Sequence, residues 1–151
     1  MSVHDALVVR PEDAERVALP HGGAFLLLAD AAQTGGTLGI TRLTLAEGAT
    51  GARRHFHTQS SELFYVLDGE MEFELDGEVT PVSAGGLVVV PPGMRHAFGA
   101  APGSTADMLG VLTPGVDRFG YFRALGRIQN GLDSFDSLLP EQERYDVHFV
   151  R

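Results

Sequence analysis

The sequence contains no cysteine and no lysine, and each absence excludes chemistry. Without cysteine there is no thiolate nucleophile, disulfide, iron–sulfur cluster or cysteine-based zinc site. Because the basic residues are all arginine, the chain also lacks the lysine that Schiff-base enzymes, pyridoxal phosphate enzymes and P-loop proteins require. Hydroxyl, carboxylate, imidazole and metal chemistry remain.

Positive charge and long apolar runs are also scarce. The formal net charge of −9 argues against nucleic acids and anionic membranes as partners, since both bind clustered positive charge. No stretch reaches the roughly 18 apolar residues that a membrane-spanning helix needs, and the N-terminus has no signal-peptide pattern. We therefore expect a cytoplasmic protein whose ligand is a small molecule.

The length and composition fit one globular domain. A chain of 151 residues with 44% hydrophobic and 21% charged residues can bury a substantial core, so we assign residues 1–151 to a single domain. Glycine and proline are spread between short apolar segments, which is typical of a β-rich fold with many turns. The residues before about Pro20 are mixed and polar, and we interpret them as an N-terminal arm.

Eight short segments have the pattern of β-strands. The segment at 70–75 alternates, with Met71 and Phe73 on one face and glutamates on the other, as in a strand with one buried side. Asp76–Gly77 follows it and is a preferred hairpin turn. The segment at 87–90 does not alternate and is β-branched, which predicts a strand buried on both faces. The remaining strands are predicted at 25–29, 37–45, 62–68, 77–82, 95–99 and 106–112. Strands this short and numerous predict a closed barrel or jelly roll.

The chain changes character after Pro114. Apolar residues recur every three positions from Val116 to Leu125. This spacing predicts an amphipathic helix that packs its apolar stripe on the barrel and ends at Gly126.

A second short helix is predicted to begin at Pro140, because proline suits the first helical turn. Residues 147–150 have the pattern of a final strand. The barrel core is therefore expected to cover about residues 37–115, and a helical extension about residues 116–151.

Four residues of the metal-ligand type occur in two short stretches. His55 and His57 are two positions apart, so on a strand their imidazoles project from the same face. Glu62 opens the next strand after a connection short enough to fold it back. His96 begins another strand after the turn at 91–93. If that strand neighbours the one with the two histidines, three imidazoles and one carboxylate converge inside the barrel.

Both stretches resemble the two sequence motifs of the cupin superfamily. The first motif is a glycine, the pair H-x-H, a glutamate and a later glycine, and it is matched here by His55, His57, Glu62 and Gly69. The second motif is G-x5-P-x-G-x2-H-x3-N, and it is matched by Gly85, Pro91, Gly93 and His96. The sequence departs from these motifs at Ala49 and Ala100, where the family has glycine and asparagine. Both departures lie outside the ligand positions, so they affect loop geometry more than metal binding.

The resemblance covers roughly residues 37–115 and implies an all-β fold. The expected fold is a double-stranded β-helix, the cupin or jelly-roll barrel, with an N-terminal arm and a C-terminal helical extension. The C-terminal Thr-Pro-Gly followed by an aromatic-rich helix is similar to small bacterial cupins of the quercetin dioxygenase-like subgroup.

The resemblance also implies that His55, His57, Glu62 and His96 bind one divalent metal ion. Three nitrogens and one oxygen suit Fe, Mn, Ni, Co or Zn, and the sequence does not select among them. The alternative is a metal-free site with partly exposed strand histidines. The ordered spacing of ligand and turn residues favours metal binding.

Strand parity places three further side chains on the same faces as the ligands: Arg53, Phe64 and Phe98. We predict that the phenylalanines line an apolar substrate pocket and that Arg53 pairs with an anionic substrate. The alternative is that the phenylalanines belong to the barrel core and that Arg53 lies on a solvated rim. For Phe64 we favour the core.

Three functions remain open at this stage. The first is a metal-dependent dioxygenase acting on a small aromatic or enolisable molecule, with Glu62 as a catalytic base. The second is a metal-dependent polyketide cyclase or isomerase, and the third is a non-enzymatic binding protein, because one scaffold hosts many chemistries. We also expect a homodimer, since the apolar strand at 25–29 would otherwise leave an exposed sheet edge.

Overall fold

The computed structural model describes residues 5–150 and has the predicted all-β fold. Its strands are β1 (Glu15–Ala18), β2 (Ala24–Ala29), β3 (Gly39–Leu45), β4 (Thr50–Phe56), β5 (Ser61–Leu75), β6 (Glu78–Ser83), β7 (Leu87–Val90), β8 (His96–Ala100), β9 (Ala106–Thr113) and β10 (His148–Phe149). Its α-helices are α1 (Phe119–Gln129) and α2 (Gln142–Tyr145), and 3-10 helices cover Pro11–Asp13, Pro20–Gly22, Ala31–Gln33 and Phe135–Glu141. None of the described helices is long and apolar enough to cross a membrane.

The strands form one curled antiparallel sheet in the order β1-β2-β3-β9-β5-β8-β4-β10, and β6 and β7 both pair with β5. The long strand β5 joins the two halves of this sheet. Its first half pairs with β7 and β9, and its second half pairs with β6 and β8. The curled sheet confirms the predicted barrel, whose interior receives alternate side chains from each strand.

A glycine bend allows β5 to serve both halves. Gly69 has a φ of +74°, and a Cβ atom there would lie 1.9 Å from the carbonyl oxygen of Thr105. Both the left-handed φ and the close approach require glycine. The strands predicted at 62–68 and 70–75 are therefore one continuous strand.

Aromatic and aliphatic side chains fill the barrel interior. The alternation predicted in the second half of β5 is confirmed, because Met71 and Phe73 are fully buried whereas Glu70 is exposed. The rings of Phe64, Phe73 and Phe98 pack with centroids 4.9 to 5.8 Å apart. These three rings form a continuous aromatic part of the barrel core.

The prediction that residues 87–90 are buried on both faces is wrong for the single chain. Val88 and Val90 point into the core, but Leu87 and Val89 are 58% and 59% exposed. The reason is that β7 lies in the wall of the barrel, so that one of its faces meets the interior and the other is covered by none of the described residues. The unbroken apolar run thus leaves two large side chains on the outer surface.

Helix α1 extends past its predicted end at Gly126. That glycine lies inside the helix and is buried, and a Cβ atom there would lie 2.3 Å from Cγ1 of Val17. Gly126 therefore allows α1 to pack closely against β1 and does not end the helix. The predicted stripe of Phe119, Phe122 and Leu125 does pack against the barrel core.

The second helical region begins before the predicted position. The 3-10 helix Phe135–Glu141 contains Pro140 and leads directly into α2. The final strand β10 is shorter than the predicted 147–150, and it pairs with β4 so that Phe149 lies opposite His55. The C-terminal extension is thereby attached to the strand that carries the first predicted ligand.

The predicted N-terminal arm is in part a strand. β1 pairs with β2 at the edge of the sheet, and an ion pair of 2.7 Å joins Glu15 to Arg123 of α1. Because Val17 is the one partly buried residue of this short strand, the sequence offers no alternating pattern there. Residues 1–4 and 151 of the predicted domain lie outside the described residues.

Gly69→Ala should destabilise the protein far more than Gly77→Ala. Both glycines have left-handed φ values, but a Cβ atom at Gly77 meets nothing within 4 Å, whereas at Gly69 it collides with the backbone of Thr105. We expect a loss of about 1 kcal/mol for Gly77→Ala and more than about 3 kcal/mol for Gly69→Ala. Urea unfolding measures both, and equal losses would show that the bend in β5 tolerates a side chain.

Candidate metal centre

Three strands bring the four predicted ligands to one point inside the barrel. His55 near the end of β4 and His96 at the start of β8 are direct partners in the β4–β8 ladder. His57 lies just beyond β4, and Glu62 is the second residue of β5. The short connection between β4 and β5 reverses the chain, so that the carboxylate of Glu62 returns to the imidazole of His57.

The potential ligand atoms of these residues lie within 4.8 Å of one another. Oε1 of Glu62 is 3.0 Å from Nε2 of His57 and 3.5 Å from Nε2 of His96. Each of the histidines is at most 5% exposed, and their ring centroids are 4.3 to 5.0 Å apart. Because these imidazoles are buried and closely packed, His55 and His57 are not partly exposed strand histidines.

Each imidazole is oriented by a backbone carbonyl group. Nδ1 of His55 lies 2.5 Å from the carbonyl oxygen of Arg53, and Nδ1 of His96 lies 2.9 Å from that of Met94. Nδ1 of His57 lies 2.8 Å from the carbonyl oxygen of Asp146. A carbonyl only accepts, so these contacts favour the tautomer with hydrogen on Nδ1 and a lone pair on Nε2.

The Nε2 atom of His96 provides a test of whether a metal fits. Among residues 5–150 it is the one fully buried side-chain nitrogen or oxygen without a hydrogen-bond partner. A buried polar atom without a partner costs about 1 to 3 kcal/mol, so such atoms are rare unless they have a ligand. A divalent cation bound by three imidazoles and a carboxylate would satisfy this lone pair.

The protonation states suit cation binding. Burial, and then the neighbouring charges of His96 and His57, lower the pKa of His55 to about 3. Burial alone would raise the pKa of Glu62, but the adjacent imidazoles of His57 and His96 and the charge of Arg118 hold it well below its usual value. Near neutral pH the imidazole of His55 is therefore neutral and the carboxylate of Glu62 is ionised, as metal ligands must be.

A small cavity opens beside the predicted ligands, and we call it the inner cavity. Its lining includes His55, Glu62, Phe98, Tyr121 and Phe122. Its walls are mostly apolar, as is usual for sites that bind small organic molecules.

The predicted pocket residues occupy three different environments. Phe98 lines the inner cavity, whereas Phe64 is 1% exposed and belongs to the core, with its ring 6.3 Å from that of His96. Arg53 is exposed and lies outside the inner cavity, and its guanidinium stacks 3.7 Å from the ring centre of Phe135. Strand parity fails for Arg53 because the β4–β8 ladder shifts register just before His55.

A family model described as Cupin domain matches residues 41–112, which contain all four predicted ligand residues. The matched segment also covers most of the barrel. The chain belongs to the cupin superfamily.

This cupin is similar to two curated bacterial proteins. It is 32% identical over 93 residues to polyketide synthase CurC of Streptomyces cyaneus, an alignment that covers 62% of this chain. It is 35% identical over 116 residues, or 70% of this chain, to quercetin 2,3-dioxygenase of Bacillus subtilis (strain 168). The chain spans 60% of the length of CurC and 34% of the length of the dioxygenase.

Among solved structures, this cupin resembles the polyketide cyclase RemF from Streptomyces resistomycificus. The two share 22% sequence identity with a TM-score of 0.60, over 73% of this chain and 80% of RemF. The likeness supports the barrel fold.

Sequence analysis missed a buried arginine that the C-terminal extension contributes to the site. Arg118 is 5% exposed and precedes α1. Its Nε donates a hydrogen bond of 3.0 Å to the carbonyl oxygen of Tyr145. Its Nη2 donates a hydrogen bond of 3.1 Å to the carbonyl oxygen of Asp146 and lies 2.7 Å from Nδ1 of His57. Its Nη1 is 3.6 Å from Oε2 of Glu62. The guanidinium therefore contacts Glu62 directly, and it shares with Nδ1 of His57 the carbonyl oxygen of Asp146 as an acceptor.

Asp146 is the second residue that sequence analysis missed. Its carboxylate accepts hydrogen bonds from the backbone of Thr58 and Gln59 and from the Thr58 hydroxyl, and it lies 3.0 Å from Nε2 of His148. Its own carbonyl oxygen orients His57. Asp146 and Arg118 both lie outside the residues that match the family model, and no spacing pattern points to either.

Loss of any one histidine ligand should strip the metal. His55→Ala, His57→Ala and His96→Ala each remove one of few coordination bonds, whereas Glu62→Gln keeps an oxygen donor and should weaken binding less. Metal analysis of protein purified without chelators, and after reloading with Fe, Mn, Ni, Co or Zn, measures the effect. His21→Asn, at an exposed histidine away from the site, is the control. A wild-type protein that holds none of these metals stoichiometrically would contradict the assignment.

Proposed function

We propose that this cupin is a metal-dependent dioxygenase that acts on a small aromatic or enolisable organic molecule. The observation that carries the proposal is the buried, unpartnered Nε2 of His96, which faces an ionised carboxylate beside an apolar cavity. The similarity to quercetin 2,3-dioxygenase over 70% of this chain supports the reaction class.

The cluster of His55, His57, Glu62 and His96 would hold one divalent ion of Fe, Mn, Ni, Co or Zn. When bound, such an ion polarises a substrate oxygen, and a redox-active ion also exchanges electrons with dioxygen. The protein fixes the donors, since a backbone carbonyl orients each imidazole. Imidazoles that are held in this way would keep their positions while water or substrate exchanges at the metal.

Glu62 is the group best placed to accept a proton from the substrate. It is the one carboxylate among the residues that line the inner cavity, and its low pKa keeps it ionised. An acidic hydroxyl or C–H group within hydrogen-bonding distance of Oε2 would transfer its proton there. The apolar walls formed by Phe98 and Phe122 would limit the access of water to the resulting anion.

A metal-dependent polyketide cyclase or isomerase is the second candidate. The 32% identity to CurC and the fold shared with RemF favour it. Such a reaction would use the same proton acceptor and the same cavity, but it needs no dioxygen. A non-enzymatic binding protein would use the cavity without turnover.

Activity should follow redox-capable metals and should require dioxygen. Apo-protein loaded separately with Fe, Mn, Co, Ni or Zn is assayed for oxygen uptake and substrate loss against a panel of phenols and diketones. We expect turnover with at least one of the first four metals and none with Zn, because Zn(II) has a filled d shell and cannot exchange electrons with dioxygen. His96→Ala, treated with the same metals, controls for activity of free metal.

The assay under nitrogen separates the candidate functions. Full turnover of the zinc-loaded protein without dioxygen would overturn the dioxygenase proposal in favour of the cyclase or isomerase. Stabilisation by a panel compound without turnover under any condition would instead identify a binding protein.

We also propose that the protein is a homodimer joined through the outer face of β7, β5 and β9. The ladder aligns six apolar side chains on that face: Leu63, Tyr65, Leu87, Val89, Leu109 and Val111. Leu87 and Val89 are more than half exposed, and Tyr65 is 41% exposed. A contiguous apolar patch on a sheet is typical of an interface between subunits.

Val89→Asp should therefore convert the dimer to a monomer. The charge would lie in the centre of the buried face, where an unpaired carboxylate is costly. Val79→Asp is the matched control, since Val79 is 58% exposed but lies on β6, outside the face. Light scattering at micromolar concentration measures the mass, and a monomeric wild-type protein would contradict the proposal.

A further inference from the structure

Two hydrogen-bond donors near the predicted ligands have no hydrogen-bond partner among the described residues. Arg118 is anchored through Nε and Nη2, but its Nη1 has only the 3.6 Å contact with Glu62 among residues 5–150. The Tyr121 hydroxyl also makes no hydrogen bond with the described residues, although Tyr121 is 6% exposed. Since neither atom is among the fully enclosed unpartnered ones, open space must reach both.

The space that reaches both donors is the inner cavity, because Arg118, Tyr121 and Glu62 all contribute to its lining. The carboxylate of Glu62 lies between the guanidinium of Arg118 and the imidazoles. Its Oε1 faces His57 and His96, and its Oε2 faces Arg118. The cavity therefore has two polar recognition points, one on each side of a single carboxylate.

Arg118 also lacks a full counter-charge. Within the described part of the chain, Glu62 is the one carboxylate within 4.0 Å of its guanidinium, and Glu62 is shared with His57. A buried cation is stable only when it is paired and hydrogen-bonded. An anionic oxygen at Nη1 would complete the pairing and form a charge-assisted hydrogen bond.

We infer that Arg118 and Tyr121 bind a second oxygen of the substrate. The substrate class is then an organic anion with two nearby oxygens, such as the enolate of a 1,3-diketone or a catecholate. The inference rests on the proposed function, which places the first oxygen at the histidine cluster. The second oxygen accepts hydrogen bonds from Nη1 and from the Tyr121 hydroxyl, and Glu62 lies between the two oxygens.

Two chromophoric probes test this inference: 4-nitrocatechol carries two adjacent oxygens, and 4-nitrophenol carries one. Binding is followed by absorbance titration under nitrogen, with zinc-loaded and with chelator-treated protein. Tyr121→Phe should weaken nitrocatechol binding about tenfold in both forms, and Arg118→Gln should weaken it more, because each removes a hydrogen bond to an anionic oxygen. Nitrophenol affinity should change less than twofold.

Matched controls keep the result interpretable. Tyr65→Phe on the outer face and Arg16→Gln on the exposed side of β1 should leave the affinity for both probes unchanged. Arg118 also supports His57, so metal content and melting temperature are measured for every variant. If Arg118→Gln loses metal or stability, Tyr121→Phe decides, because it removes one cavity-facing atom.

Three results would overturn the inference: no binding of nitrocatechol to the wild type, an unchanged nitrocatechol affinity in Tyr121→Phe, or equal losses for both probes. Equal losses for both probes would mean that Arg118 and Tyr121 affect binding only by shaping the cavity and form no hydrogen bond with a second oxygen. Because the titration contains no dioxygen, a protein without oxygenase activity could still show the Tyr121 effect. Failure of the proposed reaction is therefore distinguishable from failure of the two-oxygen assignment.

Discussion

The site depends on one requirement, that a buried imidazole must have a partner at Nδ1. Three backbone carbonyls meet it, and they belong to different parts of the chain. Arg53 lies on β4, Met94 lies in the turn before β8, and Asp146 lies in the C-terminal extension. Because each carbonyl fixes a ring and its tautomer, the backbone determines where the three Nε2 lone pairs point. Barrel, turn and extension must therefore all be folded before the ligand cluster exists.

The extension is thus part of the site and not an appendage to the barrel. It has its own small core, built from Tyr121, Leu138, Tyr145 and Val147. That core holds the backbone of Tyr145 and Asp146 where Arg118 and His57 can bond to it. The family motif lies wholly outside this segment, so two cupins with the same four ligands can differ in the groups that surround them.

Local periodicity and turn spacing predicted a closed barrel or jelly roll, and the resemblance to the cupin motifs implied the double-stranded β-helix and the four-residue cluster. His55 and His57 share a face through strand parity, and the glycine and proline turns set the ladder that pairs His55 with His96. Features that depend on tertiary packing were missed or misassigned. In the sequence alone, Gly126 is typical of a helix end. In the structure it lies inside α1 and leaves room for the side chain of Val17. The burial of Arg118 cannot be inferred from its neighbours, since it results from contacts with residues far along the chain.

The same electrostatics that keep Glu62 ready as a ligand restrict what it can do as a base. Arg118 and the imidazoles hold its pKa well below the usual value, so it accepts protons only from groups that are already acidic or that become acidic on binding. Enols of 1,3-diketones and phenols meet that condition, whereas simple ketones and alcohols do not. Under the proposed function, the guanidinium that weakens Glu62 as a base would also stabilise the anion formed beside it, because Arg118 lines the same cavity. Under the proposed function, the favoured substrates are therefore those whose anions a weak base can form and a buried cation can stabilise.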